Sequence, residues 1–236
     1  MRAAAGRHLA AVVFDFDGVL VESLDIKGQA FAELYRAYGD LVVQQVVAFH
    51  QSHGGVSRFD KIRHFESELL GLPATQDKIK EKADAFSRLV EDEVVSCPEV
   101  SGATDLLRSL SSYLPCFVAS ATPEQELRRI VQRRGWNEYF SGIYGAPVSK
   151  QTILSNIVST AHSPADTVLM VGDALVDYEA ASLAGVRFVG RVQALARSPF
   201  PSKVPLVKDM RELLQVLPSF GMAGAPARYG VTCNGQ

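Results

Sequence analysis

Cysteine is scarce. Cys97, Cys116 and Cys233 are the only three in 236 residues, an odd number, widely spaced and without a Cys-x-x-Cys pair. That argues against a disulfide framework and against thiolate zinc ligation, and suits a reducing compartment. An excess of either charge is missing too. The 24 Lys and Arg stand against 26 Asp and Glu, a formal net charge of -2, so a broad basic face for nucleic acid is not expected. Long apolar runs are absent: the longest early one, Leu9 to Phe14, stops at Asp15. A spanning helix needs about 20 apolar residues, and a secretion leader needs a longer apolar region with a small-residue cleavage site. The expectation is a soluble cytoplasmic protein, monomer or homodimer, with no membrane partner. What is present, 47% hydrophobic against 21% charged residues, suffices for one domain, or one domain with a modest insertion.

Short unbroken apolar runs punctuate the chain. Ala11 to Phe14 ends at Asp15-Phe16-Asp17-Gly18, Cys116 to Ala119 at Ser120, and Thr167 to Val171 at Gly172-Asp173, with a weaker Arg187 to Val189 further on. Such runs suit strands buried on both faces. Between them Thr104 to Leu110, Glu124 to Arg134, Thr152 to Thr160 and Leu175 to Leu183 repeat apolar residues at helical spacing. The alternation predicts an α/β fold, a doubly wound and mostly parallel sheet whose site lies at the carboxyl ends of its strands. Those ends carry Asp15, Asp17, Ser120 and Asp173.

The alternation breaks between Glu22 and Cys97. Ile26 to Tyr38, Leu41 to Phe49, Arg58 to Leu70 and Asp77 to Val95 all read as helices. Residues 22–97 are therefore expected to be an inserted helical cap, 1–21 and 98–217 a discontinuous catalytic core, and 218–236 a loosely held tail.

Asp15 and Asp17 stand two apart after a buried strand, so an extended chain points both carboxylates to one side. A plain Asp-Gly turn would use the same residues. The polar ends of two further strands favour chemistry: Asp173 is positioned to join the pair around a cation, and an oxygen-only set suits Mg²⁺. Gly18 lets the chain turn away without crowding a ligand. Ser120, with the main chain beside it at Ala121, is placed to hold phosphate oxygens near a helix start, while Thr122-Pro123 reads as an N-cap and first helical residue. Lys150, just before a helical segment, would offset the acids and stabilise a phosphoryl group.

Asp15-Phe16-Asp17-Gly18-Val19, Ser120, Lys150 and Gly172-Asp173-x-x-x-Asp177 together resemble the four motifs of the haloacid dehalogenase-like hydrolases. The resemblance covers about Val12 to Val189, cap included. It implies that Asp15 is the nucleophile, forming an aspartyl-phosphate, and a Mg²⁺ ligand. Asp17 would be the acid and base, with its main-chain carbonyl on the metal. Ser120 and Lys150 would hold the phosphoryl oxygens, Asp173 would complete the metal site, and Asp177 would orient a water or Lys150. An acid at Asp17 serves an alkoxide leaving group, which needs a proton, and a halide does not; dehalogenation is thereby disfavoured.

The cap segment His53-Gly54-Gly55-Val56-Ser57-Arg58 is similar to the cap loop of β-phosphoglucomutases, which implies that Arg58 faces the substrate's second phosphate. Ser57 with Asp60 also fits a capping box, and His50 and His53 read as polar surface residues. Lys27 replaces a histidine of the mutases, Pro123 a lysine, and Gly172 an acid. The resulting expectation is a Mg²⁺-dependent phosphatase of a small phosphorylated metabolite, phosphoglycolate or a sugar phosphate. A phosphosugar mutase is the alternative enzyme, and a catalytically idle binding or regulatory protein the alternative of another class.

Overall fold

The computed structural model describes residues 8–193 and 198–222. At its centre is β1 (Ala11–Phe14), every residue of which is buried. It pairs in parallel with β2 (Cys116–Pro123) on one side and β4 (Val168–Gly172) on the other. With β3 (Gly142–Ala146), β5 (Arg187–Arg191) and β6 (Leu206–Val207), the sheet runs in the order β3-β2-β1-β4-β5-β6, parallel throughout. This is the doubly wound order that reverses beside β1 and opens a crevice at the strands' carboxyl ends.

Two-residue periodicity divides β1 between two apolar layers. Val12 and Phe14 enter one, with Leu106, Leu107 and Leu110 of α5 (Ala103–Ser111), Leu127 and Ile130 of α6 (Glu124–Arg133), and Leu213 of α9 (Met210–Val216). Ala11 and Val13 enter the other, with Ile153, Leu154 and Ile157 of α7 (Lys150–Thr160) and Ala180 and Ala181 of α8 (Leu175–Ala184). A central strand covered on both faces has no polar side, hence its unbroken apolar run.

Four helices lie between β1 and α5: α1 (Leu24–Leu34), α2 (Asp40–Ser52), α3 (Arg58–His64, continued by a π-turn over Phe65–Leu69) and α4 (Gln76–Ser96). Phe31 of α1 meets Phe65 of the π-turn edge-on at 5.6 Å and Phe86 of α4 at a tilt at 4.4 Å, and Phe49 of α2 joins Phe65 edge-on at 5.4 Å. Ser57 caps α3 as the capping pattern suggests, accepting from the Asp60 N–H at 3.3 Å and donating to its carboxylate at 2.7 Å.

Several local expectations need correction. The β3 and β6 strands went unread. Thr122 does not cap α6; β2 continues to Pro123, which occupies the N-cap without a side-chain bond. Of the expected loose tail, residues 218–222 are tied to the core: Leu217–Phe220 form a 3₁₀ turn, the Phe220 carbonyl accepts from Arg187 at 2.7 Å, and Met222 is buried. The remainder of the tail, with Cys233, lies outside the described residues. Among the described residues no helix is long and apolar enough to cross a membrane.

Candidate active site

Register brings the acids together. Asp15 and Asp173 follow the adjacent strands β1 and β4, and the Asp15 N–H donates to the Val171 carbonyl at 2.9 Å. Asp177 stands in the first turn of α8, where its Oδ2 accepts the Ala174 N–H at 3.1 Å. Carboxylate oxygens of Asp15, Asp173 and Asp177 all lie within 4.8 Å of one another. Lys150, at the start of α7, reaches both Asp15, at 2.9 Å, and Asp177. Gly18 is required beside them: its φ is +75°, and a Cβ there would sit 2.3 Å from Asp173 Oδ2.

One lysine does not balance these acids. Burial raises the Asp15 carboxyl, Lys150 pulls it back, and Asp177 and Asp17 push it up again. Burial, then Asp15 and Asp177, hold Asp173 well above the usual carboxylate range. Burial alone would lower Lys150, yet Asp15 and Asp177 outweigh it and raise the ammonium. The cluster carries more negative charge than its surroundings neutralise, which is the condition a bound cation relieves.

Asp17 points elsewhere. Its Oδ1 accepts from Ser23 Oγ at 2.6 Å, and its Oδ2 from Thr122 Oγ1 at 3.0 Å and from the Lys27 ammonium of α1. Burial would raise its pKa, but Lys27's charge and these hydrogen bonds prevail and lower it. Two carboxylates two residues apart thus have their proton affinities shifted in opposite directions. The Asp17 side chain is not in the three-acid cluster; Asp177 takes the third place there.

A cavity of about 800 Å³ opens over this floor. Asp15, Asp17, Asp173, Ser120, Ala121 and Thr122 line it from the core, and Lys27, His50, Arg58 and Lys61 from the cap. Ser120 is buried, with its Oγ accepting the Thr122 N–H at 3.1 Å. Arg58 is fully engaged: its guanidinium donates two bonds to Glu126 of α6, at 2.8 and 2.6 Å, and one to Ser87 at 2.7 Å, and lies over the Phe86 ring. His50 is no surface residue; its ring accepts from Lys61. His53 is exposed and stacks on Phe49. Sequence reasoning missed Thr122, Glu126 and Lys61, and Lys27 entered it only as a departure from the mutases. The single available signal was the three-residue spacing of Arg58 and Lys61, which places both on one face of α3.

Residues 12–191 match the family model of the haloacid dehalogenase-like hydrolases. The chain belongs to that family. It is 28% identical over 227 residues to a phosphoglycolate phosphatase of Synechococcus elongatus, covering 89% of this chain and 94% of that one. Two solved structures share its fold. CbbY from Rhodobacter sphaeroides, in complex with phosphate, has a TM-score of 0.67 at 19% identity over 87% of this chain and 96% of its own. A haloacid dehalogenase-like family hydrolase from Streptococcus pneumoniae has 0.66 at 17% identity, over 88% and 98%. Family and relative together make this member a phosphatase.

Proposed function

We propose that the protein hydrolyses a small phosphorylated metabolite with Mg²⁺, through a phosphoryl group carried on Asp15. The observation that supports this most is the meeting of Asp15, Asp173, Asp177 and Lys150 at the carboxyl ends of β1 and β4. The raised carboxyls of Asp15 and Asp173 and the all-oxygen donor set fit a hard divalent cation. Asp15, Asp173 and the Asp17 main-chain carbonyl would hold it, with Asp177 fixing Lys150 behind them. When bound, such an ion neutralises the cluster and the incoming phosphate.

The protein's own groups perform the rest. An Asp15 carboxylate oxygen attacks phosphorus, the bond to the leaving oxygen breaks, and that oxygen keeps the electron pair and takes a proton from Asp17. Water then attacks the phosphorus, gives its proton to Asp17, and Asp15 departs as carboxylate. Lys27 keeps Asp17 ionised at rest; the negative charge of an arriving phosphate raises the carboxyl's proton affinity so that it can serve as the acid. The helices of residues 22–97 act as the lid that excludes water. The capture of Arg58 by Glu126 weighs against the mutase reading, which needs that guanidinium at a second phosphate.

Release of p-nitrophenol from p-nitrophenyl phosphate, with and without Mg²⁺, tests the reading. Asp15→Asn should reduce kcat by about 10³-fold or more, and intact-mass measurement of the quenched wild type should show a phosphorylated species absent from Asp15→Asn. Equal turnover in both proteins would refute it.

A further inference from the structure

We propose that Lys61, aimed by His50, forms a subsite on the cap wall for a second anionic group of the substrate, a carboxylate or a phosphate. The proposal rests on the phosphatase reading and narrows its substrate to molecules with a negatively charged tail.

Among the described residues four basic side chains are almost fully buried: Arg58, Lys61, Lys150 and Arg191. Three have a carboxylate. Arg58 has Glu126, Lys150 has Asp15 and Asp177, and Arg191 has Glu22. Lys61, 3% exposed, has none among the described residues. Its Nζ donates to His50 Nδ1 at 3.0 Å and lies 3.5 Å from the His50 carbonyl, which leaves its donor capacity unfilled. It nevertheless lines the cavity together with Lys27 and His50.

The electrostatics agree with an unfinished site. Burial, and then Lys27, push the Lys61 ammonium down to about 7, with Asp17 and Asp173 only partly opposing them. His50 is driven down to about 3 by burial and by both lysines. It is therefore neutral, and bonded as it is to Lys61 and the Leu24 main chain, it serves as a positioning residue. A buried ammonium without an anion is costly, and a fold tolerates it where a ligand supplies the missing charge. An anion at Nζ would restore the ammonium's ordinary proton affinity. Arg58, one turn earlier on α3, cannot take this role because Glu126 already occupies its fork. The cavity, at about 800 Å³, has room beyond a phosphoryl group for a short charged tail.

Matched substrates test the subsite: phosphoglycolate against ethyl phosphate for a carboxylate tail, and fructose 1,6-bisphosphate against fructose 6-phosphate for a phosphate tail. In at least one pair the wild type should favour the more anionic member about tenfold or more in kcat/KM, chiefly through KM. Lys61→Met should bring that ratio close to one. If both wild-type ratios lie within about threefold while p-nitrophenyl phosphate is hydrolysed, the subsite is wrong and the phosphatase reading survives. Persistence of the preference in a folded Lys61→Met protein, checked by circular dichroism, also overturns it. If no phosphoester is turned over, the phosphatase reading fails. Calorimetric binding of the same pairs to the wild type and to Lys61→Met then decides the subsite alone: a difference between pair members that Lys61→Met abolishes supports it, and equal binding overturns it.

Discussion

The two walls of the cavity are electrostatic opposites. On the core side, Asp15, Asp173 and Asp177 outnumber Lys150, and the carboxyls of Asp15 and Asp173 are held high by burial and mutual repulsion. On the cap side Lys27 is paired with Asp17, whereas Lys61 has no carboxylate partner among the described residues and is held low by burial and a neighbouring ammonium. Each wall lacks the charge that would settle it: a cation at one end, an anion at the other. The proposed substrate, with a phosphate at one end and a negative tail at the other and bound with a divalent ion, would complete both. On the proposed reading, this gradient would orient the substrate before any contact specific to its carbon skeleton is made.

Breaking the acidic wall should have the largest effect. Asp173→Asn is expected to cost about 10³-fold in kcat/KM, and Mg²⁺ should raise the melting temperature of the wild type while leaving this variant unmoved. An equal Mg²⁺ shift in both proteins would place the cation elsewhere.

A middling effect is expected where cap meets core. Glu126→Ala leaves the Arg58 guanidinium buried without its partner, so urea unfolding should show a loss of about 3–5 kcal/mol. A loss below about 1 kcal/mol would show that the guanidinium finds water and that the pair does not fasten the two walls.

Removing the basic end should be mild and of opposite sign. The folded-state pKa of Lys61 is about 7 against an ordinary 10.5, so between those values the unfolded chain binds more protons than the folded one. Its contribution to stability therefore rises with pH across that window. Lys61→Met should melt a few degrees above the wild type near pH 7, with the gap closing toward pH 10. His50, Lys27, Asp17 and Asp173 all act on this ammonium and are unchanged in the comparison. A variant that melts lower at every pH would mean that Lys61 stabilises the fold through packing of its stem.

The central strands were legible because burial on both faces leaves only apolar residues, as in Ala11–Phe14 and Val168–Gly172. The Gly142–Ala146 strand was not, for a definite reason. Gly145 lies so close to the β2–α6 junction that a Cβ would stand 2.3 Å from the Thr122 carbonyl, and a residue chosen for close approach carries no strand signal. Asp15, Lys150 and Asp173 were readable because each directly follows a strand or opens a helix, and Ser120 because it interrupts the apolar run inside β2. Thr122 was misread as a cap because its hydroxyl has a distant partner, Asp17, that outcompetes the local one.

Order along the chain was enough to specify the acidic wall, since adjacent parallel strands carry whatever follows them to a common edge. Which cations would face that edge was a matter for three dimensions. Arg58 and Lys61 are both cationic side chains on one helix face, yet Glu126, 68 residues away, takes one and leaves the other. No spacing rule anticipates that choice, because charge pairing between cap and core depends on how two separately built surfaces dock.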